Sequence, residues 1–347
     1  MRITPLLIAL VAVAPAASVG RTAPGRPTLV AATYGHPGTL VPVRGARRIN
    51  LTCVGTGRTT VLFLSGLGSG TFDWRKIQPA IGRVTRACAY DRAGYGFSDP
   101  ATTPSDVTSA IDDLHSLLHS KAITAPIVLV GHSLGGLYAT TYALRYPSDV
   151  VGMVLVDPAF SGQTGQIAKA VGPAAAGRME AWNKQMIVAL DRCVELATTG
   201  RLSLPSEQAS DCLDNPADPD PDVHRERNRQ AKSPAFERAL RSEYEMANIS
   251  DADGQTIDDH QTGTKGATLG TTPLVVLTRG DSEALPGLSA DEIAKVDLAW
   301  RAGHDKLAAL SSVGINAIVP HSKHFVQLDQ PKAVTREILL VLQQLQR

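Results

Sequence analysis

The residues best suited to chemistry sit where an apolar run meets a cluster of glycines, in Ile127-Val128-Leu129-Val130-Gly131-His132-Ser133-Leu134-Gly135-Gly136. A strand running into Gly-x-Ser-x-Gly and then a helix would hold Ser133 on a strained turn with its Oγ exposed as a nucleophile. The flanking glycines fit because side chains there would strike neighbouring backbone. The N–H of Leu134, at the start of the helix, can donate to an oxygen that gains negative charge. A serine hydroxyl is a poor nucleophile, so such a site needs a base within hydrogen-bond reach and a carboxylate to orient that base. His324 is the expected base. It lies in His321-Ser322-Lys323-His324-Phe325-Val326-Gln327-Leu328-Asp329-Gln330-Pro331, between the last strand and the last helix, with His321, nearer the strand end, as the alternative.

For the acid, Asp281 is expected, in Arg279-Gly280-Asp281-Ser282-Glu283 after the penultimate strand; Asp157, after Val154-Leu155-Val156, and Glu283 are the alternatives. A second oxyanion donor is expected from the loop Ser65-Gly66-Leu67-Gly68-Ser69-Gly70, where glycines let backbone N–H groups approach a substrate closely; Leu67 is the expected donor. A dinucleotide turn is the competing reading of that loop, since Asp91 ends the next strand, but the third glycine falls one position early.

These residues need a scaffold, and the pattern around them is α/β. Short β-branched runs predict strands at 48–54, 60–64, 87–90, 127–130, 151–156, 274–278 and 315–319, and amphipathic periodicity predicts helices at 74–84, 105–120, 134–145, 290–311 and 331–346. Only Gly55 to Thr59 separates the first two strands, which predicts an antiparallel hairpin; the later strands connect through helices and should be parallel. From about residue 160 to 270 the strand signal vanishes. A stretch of roughly 110 residues is too long for a loop, so it is expected to fold as a mainly helical cap, at 161–269, over a core formed by 27–160 and 270–347. Its aromatics, Trp182, Phe236 and Tyr244, are expected to fill a helical core. The Pro/Asp-rich stretch Asp214 to Asp222 is expected to be extended and solvated rather than a calcium loop, since it lacks the EF-hand glycine turn and terminal Glu.

Composition narrows the classes further. The chain has 347 residues, 43% of them hydrophobic, with 34 Lys+Arg against 33 Asp+Glu, which excludes disorder and argues against nucleic acid as a partner. Residues 1–19, with Arg2 followed by an apolar run and small residues, read as a secretory signal too short to span a bilayer, so stable membrane insertion is not expected. The even set Cys53, Cys88, Cys193 and Cys212 contains no CxxC spacing and agrees with export. Cys53–Cys88 and Cys193–Cys212 are the favoured disulfides, since each pair falls within one structural layer.

With these motifs in view, the chain resembles the α/β-hydrolase superfamily, particularly secreted bacterial hydrolases with a helical cap. Tyr90-Asp91-Arg92-Ala93-Gly94-Tyr95-Gly96-Phe97-Ser98-Asp99 is similar to that family's Asp-x-Arg-Gly-x-Gly-x-Ser loop, which usually borders the pocket. The resemblance implies an eight-stranded, mostly parallel sheet, Ser133 and His324 in catalytic roles, and Leu67 with Leu134 as oxyanion-hole residues. Three features depart from the family pattern: Ser65 where many members carry His, Lys323 in place of Gly, and an acid motif reading Gly280-Asp281-Ser282-Glu283. Serine rather than Asp at position 133 separates the chain from epoxide hydrolases and dehalogenases of this fold and points to acyl transfer. The expected function is a secreted or periplasmic serine hydrolase acting on small esters, with activity rising through roughly pH 6 to 7 as the base loses its proton, and with no metal or organic cofactor. The alternatives are an aminopeptidase or amidase, with Glu180, Glu243 or Glu245 meeting the substrate amine, and a non-catalytic binding protein of the same fold.

Overall fold

The computed structural model describes residues 33–123, 126–203, 212–213, 221–263 and 266–346. The expected signal segment therefore lies outside the described residues, as do residues 214–220 of the Pro/Asp-rich stretch.

Eight strands form one sheet: β1 (Thr39–Pro42), β2 (Arg48–Val54), β3 (Thr60–Leu64), β4 (Arg86–Tyr90), β5 (Ile127–His132), β6 (Val150–Val156), β7 (Leu274–Arg279) and β8 (Ile315–Val319). Their order is β1-β2-β4-β3-β5-β6-β7-β8. β1 and β2 are antiparallel to their neighbours, and every pair from β4 onward is parallel. The central strands read as continuous apolar runs because both faces are covered. In β3, Leu62 and Leu64 enter one core while Val61 and Phe63 enter the other; in β5, Leu129 and Val130 divide the same way. The first core is closed by α2 (Val107–Leu118), α3 (Leu134–Arg145) and α9 (Ala290–Ala308), and the second by α1 (Gln78–Ile81) and α11 (Pro331–Gln344).

The expected hairpin between the first two strands does not form. β2 passes over β3 and pairs with β4, leaving β3 between β4 and β5. All five residues of β3 are buried, so its faces and both edges need partners, and a two-stranded ribbon supplies only one. Cys53 nonetheless stands directly opposite Cys88 in the β2–β4 register, and the two are bonded; Cys193 and Cys212 form the second bridge. The expected helix at 74–84 is also broken up. A 3-10 turn covers Thr71–Trp74, and α1 begins only at Gln78, with Pro79 in its first turn where a missing N–H costs little.

Between β6 and β7 the described residues form helices: α4 (Gln163–Val171), α5 (Pro173–Thr198), α6 (Pro221–Ala231), α7 (Pro234–Asn248) and α8 (Ile257–Thr262). Pro221 and Asp222, expected to be extended, open α6 instead, with Asp222 in the first turn where a carboxylate meets free N–H groups. Phe236 is buried edge-on against Tyr95 at 5.3 Å, whereas Trp182 is exposed and fills no core. The remaining short helix, α10 (Val326–Asp329), precedes α11. Among the described residues no helix is long and apolar enough to cross a membrane.

Candidate active site

Ser133 stands between β5 and α3 with φ 51° and ψ −124°, a conformation that L side chains rarely adopt. Four main-chain bonds hold it there: its N–H donates to Val156 O (3.2 Å), and its carbonyl accepts from Gly136 (2.8 Å), Ala159 (2.9 Å) and Leu137 (3.4 Å). The flanking glycines are required by close approach. A Cβ on Gly131 would lie 2.5 Å from Gly135 O, and one on Gly135 would lie 2.3 Å from Leu64 O.

His324 reaches this turn from the loop after β8. Its Nε2 is 2.9 Å from Ser133 Oγ, and its Nδ1 is 2.7 Å from Asp157 Oδ2. His321, by contrast, lies exposed at the surface. Asp157 follows β6 directly, itself at φ 41°, so the strand beside the serine-bearing β5 supplies the carboxylate. The expectation of Asp281 is corrected here. Arg279 ends β7, and Gly280 packs so tightly on Val319 O that a Cβ there would lie 2.5 Å away, so the chain turns toward β8. Asp281 then sits exposed, its backbone N–H bonded to Ser322 O (2.9 Å), and Glu283 lies two residues further along the same loop. Neither lies at His324 Nδ1, which Asp157 occupies.

Asp157 is fully buried and saturated with donors. Oδ1 accepts from Trp300 Nε1 (2.9 Å) and Arg279 N (3.0 Å), and Oδ2 accepts from an Arg279 guanidinium nitrogen (2.9 Å) as well as facing His324. Burial alone would push its carboxyl up, but the His324 bond and the nearby charges of His324 and Arg279 outweigh it and hold the group well below the usual carboxylate range. Beneath it His304 bonds Pro158 O (2.9 Å) and Thr278 Oγ1 (2.6 Å); burial pushes this imidazole down to about 4, so it stays neutral.

His132 was not among the residues expected to matter. Its Nε2 donates to the backbone carbonyl of His324 (2.9 Å), and its ring packs 4.8 Å from the His324 ring. Burial and the adjacent His324 push it down to about 3, which keeps a second positive charge away from the His324 ring. The only sequence signal was its place beside the serine.

The loop carrying Leu67 borders Ser133: a Cβ on Gly66 would lie 3.0 Å from Ser133 Cβ and 2.9 Å from His132 Nδ1. Trp74 Nε1 donates to Ser65 Oγ (3.0 Å), which in turn donates to Gly70 O (2.9 Å). Arg92 donates to the carbonyls of Ser65 (2.5 Å) and Gly66 (2.8 Å) and forms a buried ion pair with Glu243 of α7 (2.6 Å), whose other oxygen accepts from Tyr95 Oη (2.6 Å). In a trans peptide the C=O and N–H point oppositely, so fixing the Gly66 carbonyl on Arg92 turns the Leu67 N–H away from Arg92. Leu240 of α7 rests against the same loop, with its Cδ1 3.3 Å from where a Gly68 Cβ would stand.

A sheet of this order, with a serine on the sharp β5–α3 turn and a histidine after the last strand, defines the α/β-hydrolase class of fold. The chain belongs to the α/β hydrolase family, whose model matches residues 61–337. An uncharacterised protein of Schizosaccharomyces pombe is 40% identical over 81 residues, 23% of this chain and 15% of that protein. A (lyso)-N-acylphosphatidylethanolamine lipase of Mus musculus is 33% identical over 104 residues, 29% of this chain and 30% of the lipase. The chain thus spans less than half the length of the curated relatives it matches. Among solved structures, an epoxide hydrolase has a TM-score of 0.57 at 18% identity, covering 88% of this chain and 98% of its own. An esterase from Thermogutta terrifontis has a TM-score of 0.52 at 17% identity, covering 89% of this chain and 98% of its own. At such identities the likeness is one of fold.

Proposed function

We propose that the protein is a serine hydrolase that cleaves carboxylic esters through an acyl-enzyme on Ser133. The observation that carries this reading is the continuous hydrogen-bonded series Ser133–His324–Asp157, at 2.9 and 2.7 Å. His324 Nε2 takes the proton of Ser133 as Oγ attacks the ester carbonyl. Asp157, kept ionised, fixes the tautomer with the proton on Nδ1 and stabilises the imidazolium that forms. The N–H groups of Leu134 and Leu67 hold the oxyanion, each worth roughly 3 kcal/mol at the transition state. The imidazolium then gives its proton to the departing alcohol, and His324 activates water against the acyl-enzyme. This chemistry calls on no metal or organic cofactor.

The helices of residues 161–269 act in this reading as a cap over the core formed by 27–160 and 270–347. The Arg92–Glu243 pair and Leu240 support it, since both link α7 to the loops at the same end of the sheet as Ser133. The two disulfides favour a secreted or periplasmic location. Glu243 is neutralised by Arg92, which weighs against its receiving the amine of an aminopeptidase substrate.

The test is turnover of p-nitrophenyl esters of graded chain length beside aminoacyl amides, with fluorophosphonate labelling of Ser133. Ser133→Ala should abolish labelling and lower ester turnover by at least roughly a thousandfold. Normal turnover in that variant would overturn the reading, and absence of labelling in the wild type would favour a binding protein.

A further inference from the structure

A second cluster of chemistry-bearing side chains lies far from Ser133, where α2 and α3 end. His115 and His119 stand one helical turn apart at the end of α2, and Asp149 lies just before β6. Each of the three offers one ligand atom, and these atoms all lie within 4.8 Å of one another. We propose that His115, His119 and Asp149 form a binding site for a zinc-type divalent transition-metal ion.

The spacing fits an ion better than a direct bond. His119 Nε2 is 3.6 Å from Asp149 Oδ2, which is long for a hydrogen bond. It is close to the edge of about 3.3 Å that two ligands span around a tetrahedral zinc at its usual bond lengths. The ring orientations fit as well. His119 Nδ1 lies 3.0 Å from the His115 carbonyl, so that nitrogen carries the proton and Nε2 presents its lone pair toward Asp149. Asp149 is oriented by Tyr142, whose hydroxyl donates to its Oδ2 at 2.6 Å while lying 3.1 Å from His115 Nδ1. The His115 ring is steadied by Tyr146, stacked at 4.2 Å, and lies 4.1 Å from the His119 ring. A hydrogen-bonded outer layer of this kind is what imidazole and carboxylate ligands of metals ordinarily carry.

The donor set selects the ion. Two imidazoles and one carboxylate suit zinc and its neighbours, whereas calcium and magnesium favour sites built from oxygen. Three protein ligands leave a fourth position for water. Ser133 precedes the first residue of α3 and Tyr142 lies in its last turn, so the twelve-residue helix, about 18 Å long, separates this ion from the catalytic site. Its effect is therefore structural: it ties the end of α2 to the rear of the serine-bearing helix and to the entry of β6. The inference stands independently of the proposed ester chemistry.

The test uses the full chain freed of metal by a chelator and titrated with zinc chloride by calorimetry, with melting followed by circular dichroism. His119→Ala and Asp149→Asn are compared with His260→Ala, which removes the exposed histidine that pairs with Asp251. The expected result is one zinc per chain and a melting temperature that rises by several degrees with zinc. His119→Ala should weaken binding by at least about tenfold and abolish the rise, while His260→Ala keeps both. Equal zinc binding by wild type and His119→Ala, loss of binding in His260→Ala instead, or no uptake at micromolar zinc would each overturn the site.

Discussion

Asp157 and Asp281 both follow strands of the sheet that carries Ser133, yet only Asp157 meets His324, and the difference is measurable. Asp157→Asn should leave the fold intact but let the His324 ring adopt the wrong tautomer, lowering kcat by roughly four orders of magnitude. Asp281→Asn, altering an exposed side chain, should leave kcat near wild type. Steady-state kinetics on one activated ester check both, and the opposite ranking would return the role to Asp281. The loop beside the serine offers a second test. Gly66→Ala puts a methyl 3.0 Å from Ser133 Cβ and 2.9 Å from the His132 ring, so one neighbour must give way. The variant should lose activity out of proportion to any change in melting temperature, because the displaced atoms are those of the proposed nucleophile and the proposed donor loop.

Among the elements, α7 is the one that reports on its surroundings. Its Glu237 is almost wholly buried, and burial pushes its carboxyl up to about 8. The folded state thus keeps a proton that the unfolded chain releases near about pH 4.3. Stability from this group is complete below that value and is lost as pH rises through about 8. Glu237→Gln, which cannot ionise, should melt with the wild type near pH 5 and several degrees above it near pH 9. Thermal melts at the two values check the sign, and a gap that fails to widen would show that the carboxylate is well solvated or paired. Asp258 of α8, pushed up to about 7 by burial and then by nearby carboxylates, adds to the alkaline loss in both proteins.

For the molecule as a whole, one disulfide ties β2 to β4 across the sheet and the other closes a loop between β6 and β7. Reduction should cost about 2–5 kcal/mol for each bridge that opens, read as a lower melting temperature in dithiothreitol. Cys193→Ser with Cys212→Ser should reproduce only part of that fall, since Cys53–Cys88 remains. The imidazoles of His132 and His304, held down to about 3 and 4, are neutral when folded and would take up protons on unfolding. Their contribution is complete above about pH 6.5 and declines toward those values, opposite in sign to that of Glu237.

The parts that local pattern could specify were legible: the strand, serine turn and helix of 127–145, His324 in the loop after β8, the parallel strands from β4 onward, and the helices among the described residues between β6 and β7. Each depends on residues adjacent in sequence, where periodicity, turn glycines and caps act directly. What only the tertiary structure decided was lateral. Which strand lies beside which determined that β2 bypasses β3, that Asp157 rather than Asp281 meets His324, and that Arg92 reaches Glu243 across more than half the inserted segment. Neighbours in a sheet are chosen by how many buried faces and edges must be covered at once, a condition on the assembled chain that no short window of sequence contains.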